Sequence, residues 1–259
     1  MSLVLQSIAD SIGTLVLNQP EKRNALSCAL IDELISGLEA MAAASVRAVV
    51  LRAAPGSRVW SAGHDVRELP AAGHDPLTYN DPLRRAVRAI ESCPAPVLAL
   101  IEGTVWGGAC ELALTCDLLI AAPDVTFAIT PAKLGVPYNM SGIMNFMKMI
   151  RMPVLKEMLF TGRPISADRA LAAGALNYVV PAADLERFVY ELAGHIAKTS
   201  PLCVAVIKEE LRMLSESLPL DSDTFERVQD LRRKVYDSHD YEEGIRAFLE
   251  KRQPVFVGR

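Results

Sequence analysis

No stretch of this 259-residue chain is apolar for long. The run Pro96-Val97-Leu98-Ala99-Leu100-Ile101 is typical, and it falls far short of the ~18 residues that suggest a membrane span. No membrane partner is therefore expected. The opening Met1-Ser2-Leu3-Val4 lacks the basic start of a secretory leader. Basic residues are not in excess: 27 Lys and Arg stand against 31 Asp and Glu, for a net charge of −4. That balance argues against nucleic acid as a partner. The five cysteines are an odd number with no CxxC spacing. They read as reduced thiols in a cytoplasmic protein, with no disulfide framework and no zinc site. Cys110 and Cys116 read as small buried apolar residues. No repeat, low-complexity segment or linker divides the chain. What remains, 51% hydrophobic and 22% charged residues, suits a globular protein with a substantial core.

The pattern alternates strands and helices as far as residue 180. Leu3 to Ile8 and Gly13 to Leu17 read as paired strands. Ser27 caps a helix from Cys28 to Ala42, whose apolar positions Leu30, Ile31, Leu34, Ile35 and Leu38 recur at helical spacing. Strands are expected at Arg47 to Arg52, Val97 to Ile101, Asp117 to Ala121, Thr126 to Ile129 and Asn177 to Val180. Arg67 to Asp81 reads as a mobile loop, and Asp81-Pro82 opens a helix to Ser92. Helices cover Met140 to Arg151, Pro153 to Phe160 and Ala167 to Ala173. Beyond residue 183 only helices are expected, near 183–198, 201–215, 223–237 and 240–250. The fold class is thus α/β, with a parallel sheet under helical cover. The helical last quarter either folds back on the core or packs on another subunit.

Two Gly-containing turns carry the chemistry: Ser61-Ala62-Gly63-His64-Asp65 and Trp106-Gly107-Gly108-Ala109-Cys110-Glu111. Each follows an expected strand and precedes an expected helix. Such turns aim unpaired backbone N–H groups into a cleft. Two N–H groups converging on one carbonyl oxygen form an oxyanion hole. The pattern points to acyl chemistry through an enolate or a tetrahedral oxyanion.

These turns, with Pro20-Glu21-Lys22-Arg23-Asn24-Ala25-Leu26, Gly103-Thr104-Val105, Asp117-Leu118-Leu119-Ile120-Ala121-Ala122 and the helical tail, resemble the crotonase (enoyl-CoA hydratase/isomerase) superfamily over essentially the whole chain. The resemblance implies a spiral of ββα units over residues 1–182. It implies a helical oligomerisation region over 183–259 that builds trimers, often paired into hexamers. It implies an acyl-CoA thioester as ligand. The backbone N–H groups of His64 and Gly108 carry over as the oxyanion hole. Ala25 and the segment Ala62, Gly63, His64, Asp65 and Val66 match the backbone that holds the CoA nucleotide. Lys251 matches a CoA contact that is often reached from the adjacent subunit. The His64 imidazole is expected to point outward, and Asp65 to serve as a turn or cap residue.

Hydratases of this family use two glutamates. The first matches Glu111. The second falls at Pro131, and no Asp or Glu occurs from Val125 to Lys156. Proline moves no proton, so half of the hydratase pair is missing. Glu111 then reads as a buried structural carboxylate, paired or neutral. Thr130 and Gly135-Val136-Pro137-Tyr138-Asn139 fill that side, a variant similar to the methylmalonyl-CoA decarboxylase group. That likeness implies biotin-independent decarboxylation to propionyl-CoA. Tyr138, with Thr130, is then expected to orient the substrate carboxylate. No cofactor is implied, because CoA belongs to the substrate. An enoyl-CoA hydratase or isomerase working with Glu111 alone, and a non-catalytic scaffold or RNA-binding member, stay open as alternatives. Arg232-Arg233-Lys234 among its acidic neighbours reads as a solvated face rather than an RNA site.

Overall fold

The computed structural model describes residues 2–70, 74–75, 77–216 and 222–257, with backbone only at 216, 222–225 and 228. In chain order the strands are β1 (Val4–Ala9), β2 (Ile12–Leu17), β3 (Ala48–Ala53), β4 (Val59–Ser61), β5 (Val97–Ile101), β6 (Thr104–Trp106), β7 (Leu118–Ala121), β8 (Thr126–Ala128), β9 (Ile165–Ser166) and β10 (Tyr178–Val179). The helices are α1 (Cys28–Ala43), α2 (Pro82–Ser92), α3 (Gly108–Thr115), α4 (Met140–Met149), α5 (Met152–Thr161), α6 (Ala167–Ala172), α7 (Ala182–Ala197), α8 (Pro201–Glu216), α9 (Ser222–Tyr236) and α10 (His239–Leu249).

Several helix starts are set by side-chain caps. Ser27 accepts from the Leu30 N–H, Asp81 from the Leu83 and Arg84 N–H groups, and Asn139 from the Gly142 N–H. Pro82 follows its cap at the first helical position, where its missing N–H is harmless. The near-continuous apolar runs of β3 and β5 are buried along their whole length, as the middle of a parallel sheet covered on both faces requires.

Six strands form one sheet in the order β1-β2-β3-β5-β7-β10, and four form a second in the order β4-β6-β8-β9. All pairs are parallel except β1 with β2 and β8 with β9. Each repeat gives its first strand to the large sheet and its second to the small one: β3 then β4, β5 then β6, β7 then β8. This is the expected spiral of ββα units. It also places the site, because β4 and β6 are neighbours with Ser61 opposite Val105. The two Gly turns that leave their ends must therefore meet.

Three short strands, β4, β6 and β9, were not anticipated from the sequence. They hold two or three residues each, too few to display a period of two. The helix expected after the first Gly turn is only a 3₁₀ turn, Val66–Glu68. Leu69 is extended there (φ −66°, ψ 138°), as the ring of Pro70 demands. The loop expected to be mobile between Arg67 and Asp81 is tied down where it is described. Asp75 pairs with Arg232 at 2.7 Å, and the Asn139 side-chain amide donates to Leu77 O at 3.0 Å. Residues 71–73 and 76 of that loop lie outside the described residues.

The helical tail folds back on the core in part. α7 folds back: Leu185, Val189 and Ala193 are buried against the large sheet, and Arg52 of β3 reaches Glu186 at 2.9 Å. α8 is anchored by Lys208, which meets Asp117 at 2.7 Å and Ile90 O at 3.0 Å. Its other face leaves Leu202, Val206, Ile207, Leu211 and Leu214 exposed. α10 lies on the 3₁₀ turn Pro131–Leu134, so close that a Cβ at Gly244 would collide with the Leu134 carbonyl. Leu77, Val136, Tyr236 and Tyr241 form a small second core there, separate from the main one.

Candidate active site

The two Gly turns interlock. Gly63 has φ +86°, and a Cβ there would strike Trp106 O and lie 2.9 Å from Gly108 N. Only glycine permits that approach. Gly107, at φ +59°, hands the chain into α3, so Gly108 is the first residue of a helix whose N-terminal N–H groups lack intrahelical partners. His64 N lies 3.8 Å from the point where a Gly108 Cβ would be. Among the described residues, neither the His64 nor the Gly108 N–H donates to an acceptor. The expected pair of donors is thus adjacent and free, at the positive end of a helix dipole.

Both face a cavity of about 680 Å³. Ala25, Ala62, Asp65, Val66, Thr130, Tyr138 and Lys251 line it as well. Gly63 stands behind its wall. The segment from Arg23 to Leu26 is stitched to the first turn by Ala62 N–H to Arg23 O (3.0 Å) and Leu26 N–H to Gly63 O (2.8 Å). The cavity also gathers cations beyond those the resemblance implies: Lys22, Arg23, Arg67 and Lys133. Lys22 and Arg23 sit inside the motif that carried the family resemblance, which was the available signal. Apolar side chains also line the cavity, among them Leu77, Leu83, Val136 and Phe248.

Asp65 is the cap residue expected. It accepts from the Arg67 N–H at 3.1 Å and pairs with the Arg67 guanidinium at 2.6 Å. The same hydrogen bonding holds its carboxyl below the ordinary value. The His64 imidazole differs from expectation. It turns inward: Nε2 lies 3.3 Å from Asp81 Oδ2, and Nδ1 lies 3.7 Å from the Gly108 Cβ position. Asp81 is fixed as the cap of α2, so the ring is held beside the Gly108 N–H.

Glu111 is 1% exposed and does not line the cavity. Its Oε1 accepts from Arg84 at 2.5 Å and its Oε2 from the Tyr138 hydroxyl at 2.7 Å. It is a paired, buried carboxylate. Burial pushes its carboxyl up, against the pull of Arg84. Burial and then the Glu111 charge push the Tyr138 phenol far above its ordinary value, so it keeps its proton. That proton is given to Glu111, while the ring packs edge-on against Phe146 at 5.1 Å and forms cavity wall. The Thr130 hydroxyl lies 3.3 Å from the Gly107 Cβ position and has no protein partner among the described residues. Lys251 reaches the cavity from the same chain, because α10 folds back over the 131–135 turn. It holds φ +55° in the turn that ends α10.

The model of the enoyl-CoA hydratase/isomerase family matches residues 7–259. The methylmalonyl-CoA decarboxylase of Escherichia coli (strain K12) is 50% identical over 249 residues, covering 96% of this chain and 95% of that protein. The 2,3-dehydroadipyl-CoA hydratase of the same organism is 31% identical over the full length of both. A solved structure of methylmalonyl-CoA decarboxylase in complex with 2-nitronate-propionyl-CoA superposes with a TM-score of 0.97 at 49% identity over 99% of each chain. The chain belongs to the enoyl-CoA hydratase/isomerase family and has its crotonase fold.

Proposed function

We propose that this protein is a carbon–carbon lyase that decarboxylates methylmalonyl-CoA to propionyl-CoA without biotin. The observation that carries the reading is the state of the hydratase pair. Pro131 stands at one position, and at the other Glu111 is withdrawn from the cavity with both oxygens engaged. The oxyanion hole remains beside a wall with no free carboxylate among the described residues. Half identity to a methylmalonyl-CoA decarboxylase supports the same reading.

The chemistry follows from the groups present. Loss of CO₂ from a malonyl thioester leaves an enolate whose charge lies on the thioester oxygen. The N–H groups of His64 and Gly108 stabilise that charge, and loss of one such donor costs on the order of 3 kcal/mol. The thioester is itself the electron sink, so the reaction requires no biotin, thiamine or metal. The scissile C–C bond must stand perpendicular to the thioester plane, a matter of positioning. The wall of Leu77, Leu83, Val136 and the Tyr138 ring confines the carboxylate, and Thr130 supplies a hydroxyl that has no partner among the described residues. A charged carboxylate against an apolar wall is disfavoured relative to neutral CO₂, which lowers the barrier to its departure. The His64 imidazole lies beside the Gly108 N–H, with Nε2 3.3 Å from Asp81 Oδ2; as the imidazolium it gives its Nδ1 proton to the enolate and keeps its Nε2 proton toward Asp81.

The cations Lys22, Arg23, Arg67, Lys133 and Lys251 suit the phosphates of CoA. The exposed apolar stripe of α8 suits a homo-oligomer, a trimer or a dimer of trimers, with residues 183–259 as its assembly region. No helix among the described residues is long and apolar enough to cross a membrane, and a cytoplasmic enzyme is the reading we adopt. Mass spectrometry of methylmalonyl-CoA incubated with the protein tests the reaction. Appearance of propionyl-CoA supports it, and an unchanged substrate refutes it.

A further inference from the structure

The first turn of α2 touches three parts of the site at once. Asp81 meets His64, Leu83 lies against Gly108, and Arg84 meets Glu111. The last contact is the least expected. The Arg84 guanidinium, 12% exposed, is spent on a carboxylate that does not line the cavity. That carboxylate in turn accepts the only proton of Tyr138. We propose that Arg84 is a positioning residue: by keeping Glu111 an anionic acceptor, it draws the Tyr138 proton inward, so that the substrate carboxylate meets an aromatic face with no donor. The inference rests on the decarboxylase reading for its kinetic consequence, but its structural core does not.

Burial raises the Glu111 carboxyl, and the Arg84 charge is the largest influence opposing it. Glu111 is faced by Arg84 and Asp81 from α2 and by Tyr138 from the segment before α4. Its neighbour in sequence, Cys110, is a buried thiol pushed up to about 12, so it stays neutral. Arg84 is the only cation in this group. Without it, burial and the charge of Asp81 both favour a protonated Glu111. A protonated Glu111 has a proton of its own to give to the phenol oxygen. The phenol proton then turns to the cavity and binds the substrate carboxylate. That contact stabilises bound substrate and is lost as CO₂ leaves, so it slows the reaction while tightening binding.

The test is Arg84→Met, which keeps volume and removes charge. At neutral pH we expect kcat and KM for methylmalonyl-CoA to fall together, each about ten-fold, the size of a hydrogen bond to a charged group. The change should fade as pH rises and Glu111 ionises again. Arg84→Lys should restore wild-type values. Glu111→Gln offers a second route. Arg84 has donors only, so it takes the amide oxygen and leaves the amide N–H₂ for the phenol oxygen. This variant should show low kcat and low KM at every pH. It also covers the case in which Arg84→Met does not fold. Difference infrared spectroscopy of Arg84→Met against Arg84→Met/Glu111→Gln gives a readout independent of turnover. A protonated-carboxyl stretch at neutral pH is expected in the first only. If that stretch is absent, Arg84 does not hold Glu111 ionised and the proposal is overturned, whatever the reaction. A lower kcat with KM unchanged or raised at all pH would overturn it too, as the mark of a structural role. Failure of the wild type to release CO₂ would instead sink the decarboxylase reading, and the infrared result would still decide Arg84.

Discussion

Leu83 lies directly over Gly108: a Cβ on residue 108 would come within 2.8 Å of Leu83 Cδ2 and 3.8 Å of the His64 nitrogen. The Gly108 N–H is therefore roofed by a leucine of α2, and the absence of a side chain at residue 108 leaves room beside that roof for the thioester oxygen of the proposed reaction. Gly108→Pro deletes the N–H at the first helical position, where the proline ring is otherwise tolerated. It should lower kcat by about 10²–10³ with the melting temperature little changed. Gly108→Ala keeps the donor and only crowds Leu83, so its loss should be smaller. Normal turnover by Gly108→Pro would show that this N–H is not in the hole.

Lys251 sits in a left-handed conformation, φ +55°, at a position where glycine is the usual choice. A lysine there costs roughly 1 kcal/mol relative to an unstrained backbone. We attribute its presence to the phosphates of CoA. Lys251→Gly should leave the melting temperature unchanged or higher while KM rises up to about five-fold, the range of an exposed ion pair, with kcat nearly constant. Steady-state kinetics at low salt check this. A constant KM would remove Lys251 from the site.

Much of this site was legible in the sequence, and the reasons differ residue by residue. Gly63, Gly107 and Gly108 are visible because close backbone approach leaves few other choices. Pro131 is visible because it replaces a group that the hydratase reaction needs. Asp81-Pro82 announces its helix through a cap and a ring. The strands β4 and β6, which bring the two turns together, carry no pattern at three residues each. The Arg84–Glu111–Tyr138 chain joins residues 27 positions apart on both sides, and no local periodicity couples them. The inward turn of His64 depends on where Asp81 lands, which only the tertiary fold decides. That α10 serves its own cavity rests on close packing at Gly244, a contact with no partner in the local sequence.

Glu243 is buried, and Arg252, Arg246 and the Val255 N–H all converge on it. The hydrogen bonds from Arg252 and Arg246 hold its carboxyl far below the ordinary value of 4.5. A depressed folded value means that the carboxylate stabilises the fold above about 4.5 and that this contribution is lost as pH falls below it. The segment after α10, which these contacts pin, should therefore loosen in acid. Melting curves recorded downward from neutral pH should show a steeper decline for the wild type than for Glu243→Gln. Parallel declines would show that this cluster does not contribute.

Leu202, Val206, Ile207, Leu211 and Leu214 of α8 are all exposed, and an apolar stripe of this kind suits a docking face. Light scattering should return a mass that is a multiple of three chains. Leu211→Asp with Leu214→Asp should shift it to the monomer. A wild type that is monomeric at micromolar concentration would contradict the assembly reading.

The central claim is that withdrawal of Glu111 and the presence of Pro131 leave an oxyanion hole that decarboxylates and does not hydrate. The direct measurement compares the wild type on methylmalonyl-CoA and on crotonyl-CoA under one set of conditions, following propionyl-CoA and 3-hydroxybutyryl-CoA by mass spectrometry. The expected result is propionyl-CoA from the first and little or no hydration of the second. Faster hydration of crotonyl-CoA than decarboxylation of methylmalonyl-CoA would contradict the account.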